Sequence, residues 1–591
     1  MILLFLACTP PEPAGPAVVP DVGALEAGLL NPFPSVELVV NGHVEIPKGA
    51  LPAVEGGTPF PVERVNWRRG FSPVQPAIAR LPMAIDRASL GLQAGIGTGG
   101  SVRMMDMDSG VEIPVLAETD AWPDTAEEGD RTLIVRPMMA MTVGHRVAVA
   151  VTGAVTSAGA PLDLPPPKGH YAELVDELDG LGISDVRLAW DFPIGDGTLA
   201  TRTIASAIHT PTEHVFEYTW GEGQAAEAVS AALVQGEGSF TVDNYLQDDT
   251  HLVVDETGVP ARQGDAQAYL YVHVPASLKD AAPGSAPVIV FGHGILGSPD
   301  DYLANEDDTS SLLALANDVG AIVVATRWRG LTRPDELHAI AVAADFGRFP
   351  EVPDMLAQGV NNTLSLIAAC KDGELLDDPL FGGLADRSRI YYYGISLGGI
   401  EGAVTLANQS TITTGVLHVG GSDWSTMLER SSQWTPFELL VVRGIPAAWD
   451  RQLLYAASQM LWDQVDPADY VEDLAGRTLL WQESIGDEQV PNITTELLQR
   501  SLGNPVGTPG LTTPYGIDPV ALPAQGPAFT QYDAMVGDGA TTNRPPSPSG
   551  AHATPRLWPG TRAQVVDFLT TGGTVNHHCG TAPCTAENTG E

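Results

Sequence analysis

Residues 389–399 read Arg-Ile-Tyr-Tyr-Tyr-Gly-Ile-Ser-Leu-Gly-Gly, a β-rich run that breaks into a tight turn. Ser396 stands at the tip of that turn, between Gly394 and Gly398. A chain that swings from strand to helix around a serine needs neighbours without side chains, because the strained backbone would otherwise clash. The turn lifts the hydroxyl above the sheet edge and aims the free N–H groups of a helix N-terminus at the reacting carbon. The chemistry this suits is nucleophilic attack on a carbonyl. With 63 glycines in 591 residues, chance alone gives roughly a few tenths of a Gly-x-Ser-x-Gly match, so the pattern takes its weight from its companions.

Three companions fit. Phe291-Gly-His-Gly-Ile-Leu-Gly-Ser298 directly follows the apolar run Pro287–Phe291. A glycine-rich turn there exposes backbone N–H groups, and acyl transfer needs two donors for the developing oxyanion. These are assigned to the N–H groups of Ile295 and Leu397, in a loop that includes His293 and Gly294. His293 itself reads as a structural brace, since it precedes Ser396 in the chain. Glu483-Ser-Ile-Gly-Asp-Glu-Gln-Val-Pro491 follows the run Thr478–Gln482, and Asp487 there could orient a base and stabilise its imidazolium. Asp423, in Gly-Gly-Ser-Asp-Trp, competes for that role. Of the 13 histidines, the order serine, acid, base leaves His552, His577 and His578 beyond Asp487. His552 is preferred, because it lies in a loop entering the helix expected at 562–569.

The elements that must position these residues follow from periodicity. From about 25 to 196 short alternating runs recur between turns: Val36–Ile46, Ser101–Met107, Thr132–Arg136, His145–Val151 and Val186–Phe192, with a helix-like stretch at 171–178. This predicts a β-sandwich. Beyond 197 strands alternate with helices, which predicts a mostly parallel sheet with right-handed crossovers. Strands are expected at 268–274, 287–291, 321–325, before Ser396, at 415–419 and at 478–482. Helices are expected at about 311–318, 359–370, 398–409 and 562–569. Between the last two strands, residues of about 424–476 are rich in Trp, Leu and Met. That is where a lid over the site would be built, an ordinary helical excursion being the alternative.

Elbow, donor loop, acid and base therefore occur in one order, each after a predicted strand. Across about residues 265–576 this resembles the α/β-hydrolase superfamily. The resemblance implies an α/β-hydrolase fold with a helical lid and a triad of Ser396, Asp487 and His552. More narrowly, an Ig-like N-terminal module with Gly-His-Gly-Ile-Leu-Gly-Ser and an anchor cysteine resembles bacterial surface lipoprotein lipases and lysophospholipases. That implies ester-lipid substrates and an outer-membrane or secreted setting. The expected divisions are a signal remnant at 1–8, a linker at 9–24, the Ig-like sandwich at 25–196, the catalytic domain at 197–576 and a tail at 577–591. The expected activity is carboxylic-ester hydrolysis through an acyl-enzyme, needing no metal or organic cofactor. Peptide or polyester cleavage by the same triad is the alternative, as is a non-catalytic adhesion protein with an inert core.

Composition narrows the partners. The net charge is −43, from 73 acidic and 30 basic residues, and the lysines are Lys48, Lys168, Lys279 and Lys371 alone. Nucleic acid and anionic lipid headgroups would be repelled. Self-repulsion of this size is screened in salty water, which fits either life at high salt or an arginine-rich genome. The first eight residues are apolar and end in Cys8, as at the end of a lipoprotein signal. They lack a basic n-region, so the expectation is a start further upstream or a shortened signal. Cys370 reads as buried apolar filler. Cys579 and Cys584 enclose four residues and read as a small disulfide loop. A metal site with His577 and His578 is the alternative, without a familiar zinc spacing.

Overall fold

A computed structural model of the protein describes residues 30–90, 95–122, 130–224, 226–304 and 312–590. Cys8, the signal remnant and the linker lie outside the described residues. The N-terminal region holds two four-stranded antiparallel sheets. One runs Ala77–Arg80, Thr132–Pro137, Val115–Thr119, Ile96–Gly97, and the other Leu188–Pro193, Arg146–Val151, Val102–Asp106, Val111–Ile113. The chain steps from one sheet to the other at Pro114, which has no N–H to continue a ladder. Both sheets feed one apolar core, through Ile78, Ile134, Val149 and Trp190 among others.

The helix-like stretch at 171–178 falls within helix His170–Gly180, which packs along Leu188–Pro193 and buries Tyr171. One detail departs from expectation: Val36–Ile46 is not one strand but a 3₁₀ turn followed by a hairpin of two-residue strands. Asn41 and Gly42, at φ 52° and 80°, turn the chain back, as an Asn-Gly pair between apolar runs favours.

A twelve-stranded sheet carries the rest. From one edge the strands run His214–Gly221, Ala232–Asn244, Gly264–Pro275, Ile322–Ala325, Ala286–Gly292, Ala385–Ile395, Thr414–His418, Thr478–Ser484, Ala528–Asp533, Val506–Thr508 and Pro519–Ala521, with Cys584–Thr585 paired to Ala528–Asp533. The first strands pair antiparallel, and pairing is parallel from Ile322–Ala325 onward. Central strands such as Ala286–Gly292 are buried at every position, as expected where helices cover both faces of a parallel sheet. Ile322–Ala325 is inserted between two earlier strands, and a serine elbow follows the strand next in line. This exchanged order, with the elbow at its centre, is that of the α/β-hydrolase fold.

The insertion between Thr414–His418 and Thr478–Ser484 folds into helices Trp424–Arg430, Thr435–Gly444 and Ala448–Trp462 with 3₁₀ turns. It is a roof tied down by the N-terminal sheets rather than a free flap. Arg136 bonds Glu429 of the roof and also Glu118, which in turn holds Arg430 at 2.6 Å. Gln75 donates to the Ala456 carbonyl at 2.7 Å, Arg68 to that of Met460 at 2.8 Å, and Ser72 to Asp463 at 2.6 Å.

Candidate active site

Ser396 takes φ 58° and ψ −118° at the junction of strand Ala385–Ile395 and helix Leu397–Ala407. Its N–H donates to the His418 carbonyl of the next strand at 2.9 Å. The two flanking glycines are obligatory. A Cβ on Gly394 would lie 2.0 Å from the Gly398 carbonyl oxygen, and one on Gly398 2.0 Å from that of Gly292. These close approaches press the elbow against the loop after Ala286–Gly292, whose Gly294 borders the Ser396 side chain.

That loop is braced from several sides. The His293 ring is buried, with Nδ1 donating to the Gly294 carbonyl at 2.8 Å and Nε2 accepting the Trp328 N–H at 3.1 Å. Burial pushes its pKa down to about 4, so the ring is neutral and serves as a brace. The Tyr302 hydroxyl accepts the Gly294 N–H at 3.2 Å, and Leu296 N–H donates to the Leu331 carbonyl at 2.8 Å. The N–H groups of Ile295 and Leu397 have no acceptor among the described residues. Both residues line the same cavity as Ser396.

Asp487 follows strand Thr478–Ser484 and is buried. Its Oδ1 accepts the N–H groups of Gln489 and Val490 at 2.8 and 2.9 Å. The His552 ring meets it directly, with Nδ1 at 2.7 Å from Oδ2 and 2.9 Å from Oδ1. The Nδ1–H therefore donates to the carboxylate, which leaves Nε2 as the free ring nitrogen. Neither that nitrogen nor Ser396 Oγ has a hydrogen-bond partner among the described residues. Backbone bonds run along this sheet edge from Ser396 to His418, and from Val419 to Gln482 at 2.7 Å. Ser484 Oγ then donates to the Ala551 carbonyl at 2.7 Å, next to His552.

The competitors lie elsewhere. Asp423 caps helix Trp424–Arg430, accepting Thr426 N–H at 3.2 Å and Ser425 Oγ–H at 3.1 Å. His578 pairs with Asp567 at 2.9 Å, and His577 bonds the Ala582 carbonyl at 2.8 Å. Cys579 and Cys584 are joined in a disulfide, so their sulfurs offer no thiolates to a metal. Asp106, Asp108 and His145 cluster on the N-terminal sheets, but their atoms are spent on one another and on backbone N–H groups. Buried Cys370 has its thiol pKa pushed up to about 12.

Above Ser396 the roof covers an almost wholly apolar cavity. Ile295, Phe349, Trp424, Met427, Trp434 and Trp462 line it. Trp424 stacks on Trp462 at 4.6 Å, and Phe349 meets Trp462 edge-on at 5.1 Å. The tryptophans were legible only as apolar content of an insertion, and nothing in the sequence marked Tyr302 or Phe349.

No protein-family model matches the chain, and no curated protein matches it. Among solved structures it is similar to an acetyl xylan esterase from Paenibacillus sp. R4, at 14% identity and a TM-score of 0.33, over 57% of this chain and 87% of that one. It is also similar to an acylaminoacyl peptidase of Pyrococcus horikoshii, at 16% and 0.30 over 62% and 51%. An esterase of Pyrobaculum calidifontis gives 14% and 0.28 over 52% and 81%. Overlaps this low carry no weight, and the fold assignment rests on the strand order and elbow described above.

Proposed function

We propose that the protein is a serine carboxylic-ester hydrolase of the lipase or esterase type. The observation that carries this reading is the buried Asp487–His552 pair on the sheet edge that bears the Ser396 elbow. His552 Nε2 takes the Ser396 proton as the hydroxyl attacks the ester carbonyl, while Asp487 holds the ring in the required tautomer. The Ile295 and Leu397 N–H groups receive the oxyanion, each such donor contributing about 3 kcal/mol to the transition state. The alcohol leaves with the proton from His552, and water cleaves the acyl-enzyme by the same route in reverse. The hydrogen bond between Ser396 Oγ and His552 Nε2 forms when substrate enters, since catalytic hydrogen bonds are completed in Michaelis complexes.

The cavity favours an ester over a peptide. Its lining offers aliphatic and aromatic surface to an acyl chain, with only Ser396, Ser431, Gln433 and Gln489 as polar members. A peptide would bring amide groups that this surface leaves unpaired. The lipoprotein reading is part of the same proposal: Cys8 is acylated, and an Ig-like N-terminal module stands between the tether and the catalytic sheet. Among the described residues no helix is long and apolar enough to cross a membrane. The test is Ser396→Ala, which abolishes hydrolysis of p-nitrophenyl esters in a folded protein. Hydrolysis at the wild-type rate would overturn the reading.

A further inference from the structure

Next to Asp487 stands a second buried carboxylate, Glu488, exposed by only 2%. Its oxygens face the loop that presents His552. Oε2 accepts the His552 N–H at 3.1 Å and the Ser549 hydroxyl at 2.9 Å, and Oε1 accepts the Gly550 N–H at 3.2 Å. Three donors from four consecutive residues thus converge on one side chain. Gly550 takes φ 87° to allow it, a conformation that favours glycine. The Glu488 carbonyl meanwhile accepts the Ser432 N–H of the roof at 2.7 Å. Despite burial, the bonds from His552 and Ser549 hold the Glu488 carboxyl below its usual range, so it is charged.

We infer that Glu488 is a positioning residue for the general base, gripping the backbone of the His552 loop while its neighbour Asp487 orients the ring. The inference rests on the ester-hydrolase reading above. One short segment then sets both the height of the imidazole above the elbow and its rotation. Without the grip, the loop 549–552 keeps the Ser484–Ala551 bond but loses three anchors. An imidazole displaced by about 1 Å can cost about 100-fold in rate. Glu488 also places a negative charge beside the imidazolium that forms during turnover. Asp487 and His418 also interact with His552. Burial pushes His418 down to about 3, and Arg556 and His552 add to that shift.

The test is Glu488→Gln against Glu488→Asp and wild type, with kcat and KM measured across pH on a p-nitrophenyl ester. Glutamine keeps the volume but removes the charge and one acceptor. We expect kcat to fall about tenfold or more with KM little changed, because Glu488 touches no substrate. Glu488→Asp keeps the charge and both acceptor oxygens, so it recovers part of kcat. Folded Glu488→Gln with wild-type kcat at every pH would overturn the inference. So would a loss that appears in KM instead of kcat, or one that aspartate does not recover, which would mark a merely structural role. If Glu488→Gln does not fold, Ser549→Ala decides: it removes one anchor at a half-buried loop position, and kcat falls about three- to tenfold or the inference fails. Ser396→Ala run in parallel separates the two claims. If it remains active the ester-hydrolase reading falls, whereas an inert Ser396→Ala beside an unaffected Glu488→Gln sinks only the role of Glu488.

Discussion

Ser396 at φ 58° is a strained residue held by close backbone contact on both sides, and such strain is tolerated where the surroundings over-determine it. Its glycine frame made it readable in the sequence, because only residues without Cβ fit those contacts. Asp487 and His552 were readable for a different reason: chain order and a position after predicted strands left few candidates. Glu488 was not readable, since its partners lie 61 to 64 positions away and no spacing rule connects them. Ser396 would act only as strongly as its base is oriented. Asp487→Asn is therefore expected to lower kcat by about 10⁴ through the wrong imidazole tautomer. Steady-state kinetics on a folded variant checks it, and a loss under tenfold would argue that another acid does the orienting.

At the scale of elements, continuous apolar runs announced the central strands, and a serine between glycines announced the elbow. The exchanged position of Ile322–Ala325 was not announced, because strand order is decided by crossovers and not by local pattern. Helix Glu336–Ala344 was missed as well. It exposes Leu337 and Ile340 while burying Ala339, Val342 and Ala343, so its apolar residues do not trace one clean stripe. The roof was legible as an apolar insertion, but its fixation was not. Arg136 is 1% exposed and reaches both Glu118 and Glu429. Arg136→Met leaves Glu429 buried without its cation, while Glu118 keeps Arg430, and breaking such a buried pair costs about 3–5 kcal/mol. Denaturant unfolding should report that loss, together with a rise in KM for the longer acyl esters as the roof loosens over the cavity. Wild-type stability would show that the N-terminal sheets do not hold the roof.

For the whole molecule the excess of acid has a consequence for stability. Burial, with Glu429 adding to it, pushes Asp120 up to about 6 and Glu438 up to about 8. Burial, with Asp466 nearby, pushes Asp423 up to about 7. In the unfolded chain these groups ionise near 4. The folded protein therefore holds protons that the unfolded chain releases. Their contribution is complete below about pH 4 and drains away as pH rises through 6 to 8. Growing self-repulsion from a net charge of −43 acts in the same direction. Tm should accordingly be lower at pH 8 than at pH 5, Asp423→Asn should narrow the difference, and added salt should raise Tm at pH 8. A Tm that climbs from pH 5 to pH 8 would contradict this. Composition gave the sign of the net charge, but only packing shows which carboxyls are protonated.

The mass and site of the adduct formed with a fluorophosphonate probe decide whether Ser396 is the nucleophile. A single phosphonyl group should map to Ser396, be absent in Ser396→Ala and form far more slowly in His552→Ala. An unmodified wild-type protein, or an adduct on any other residue, would contradict that assignment.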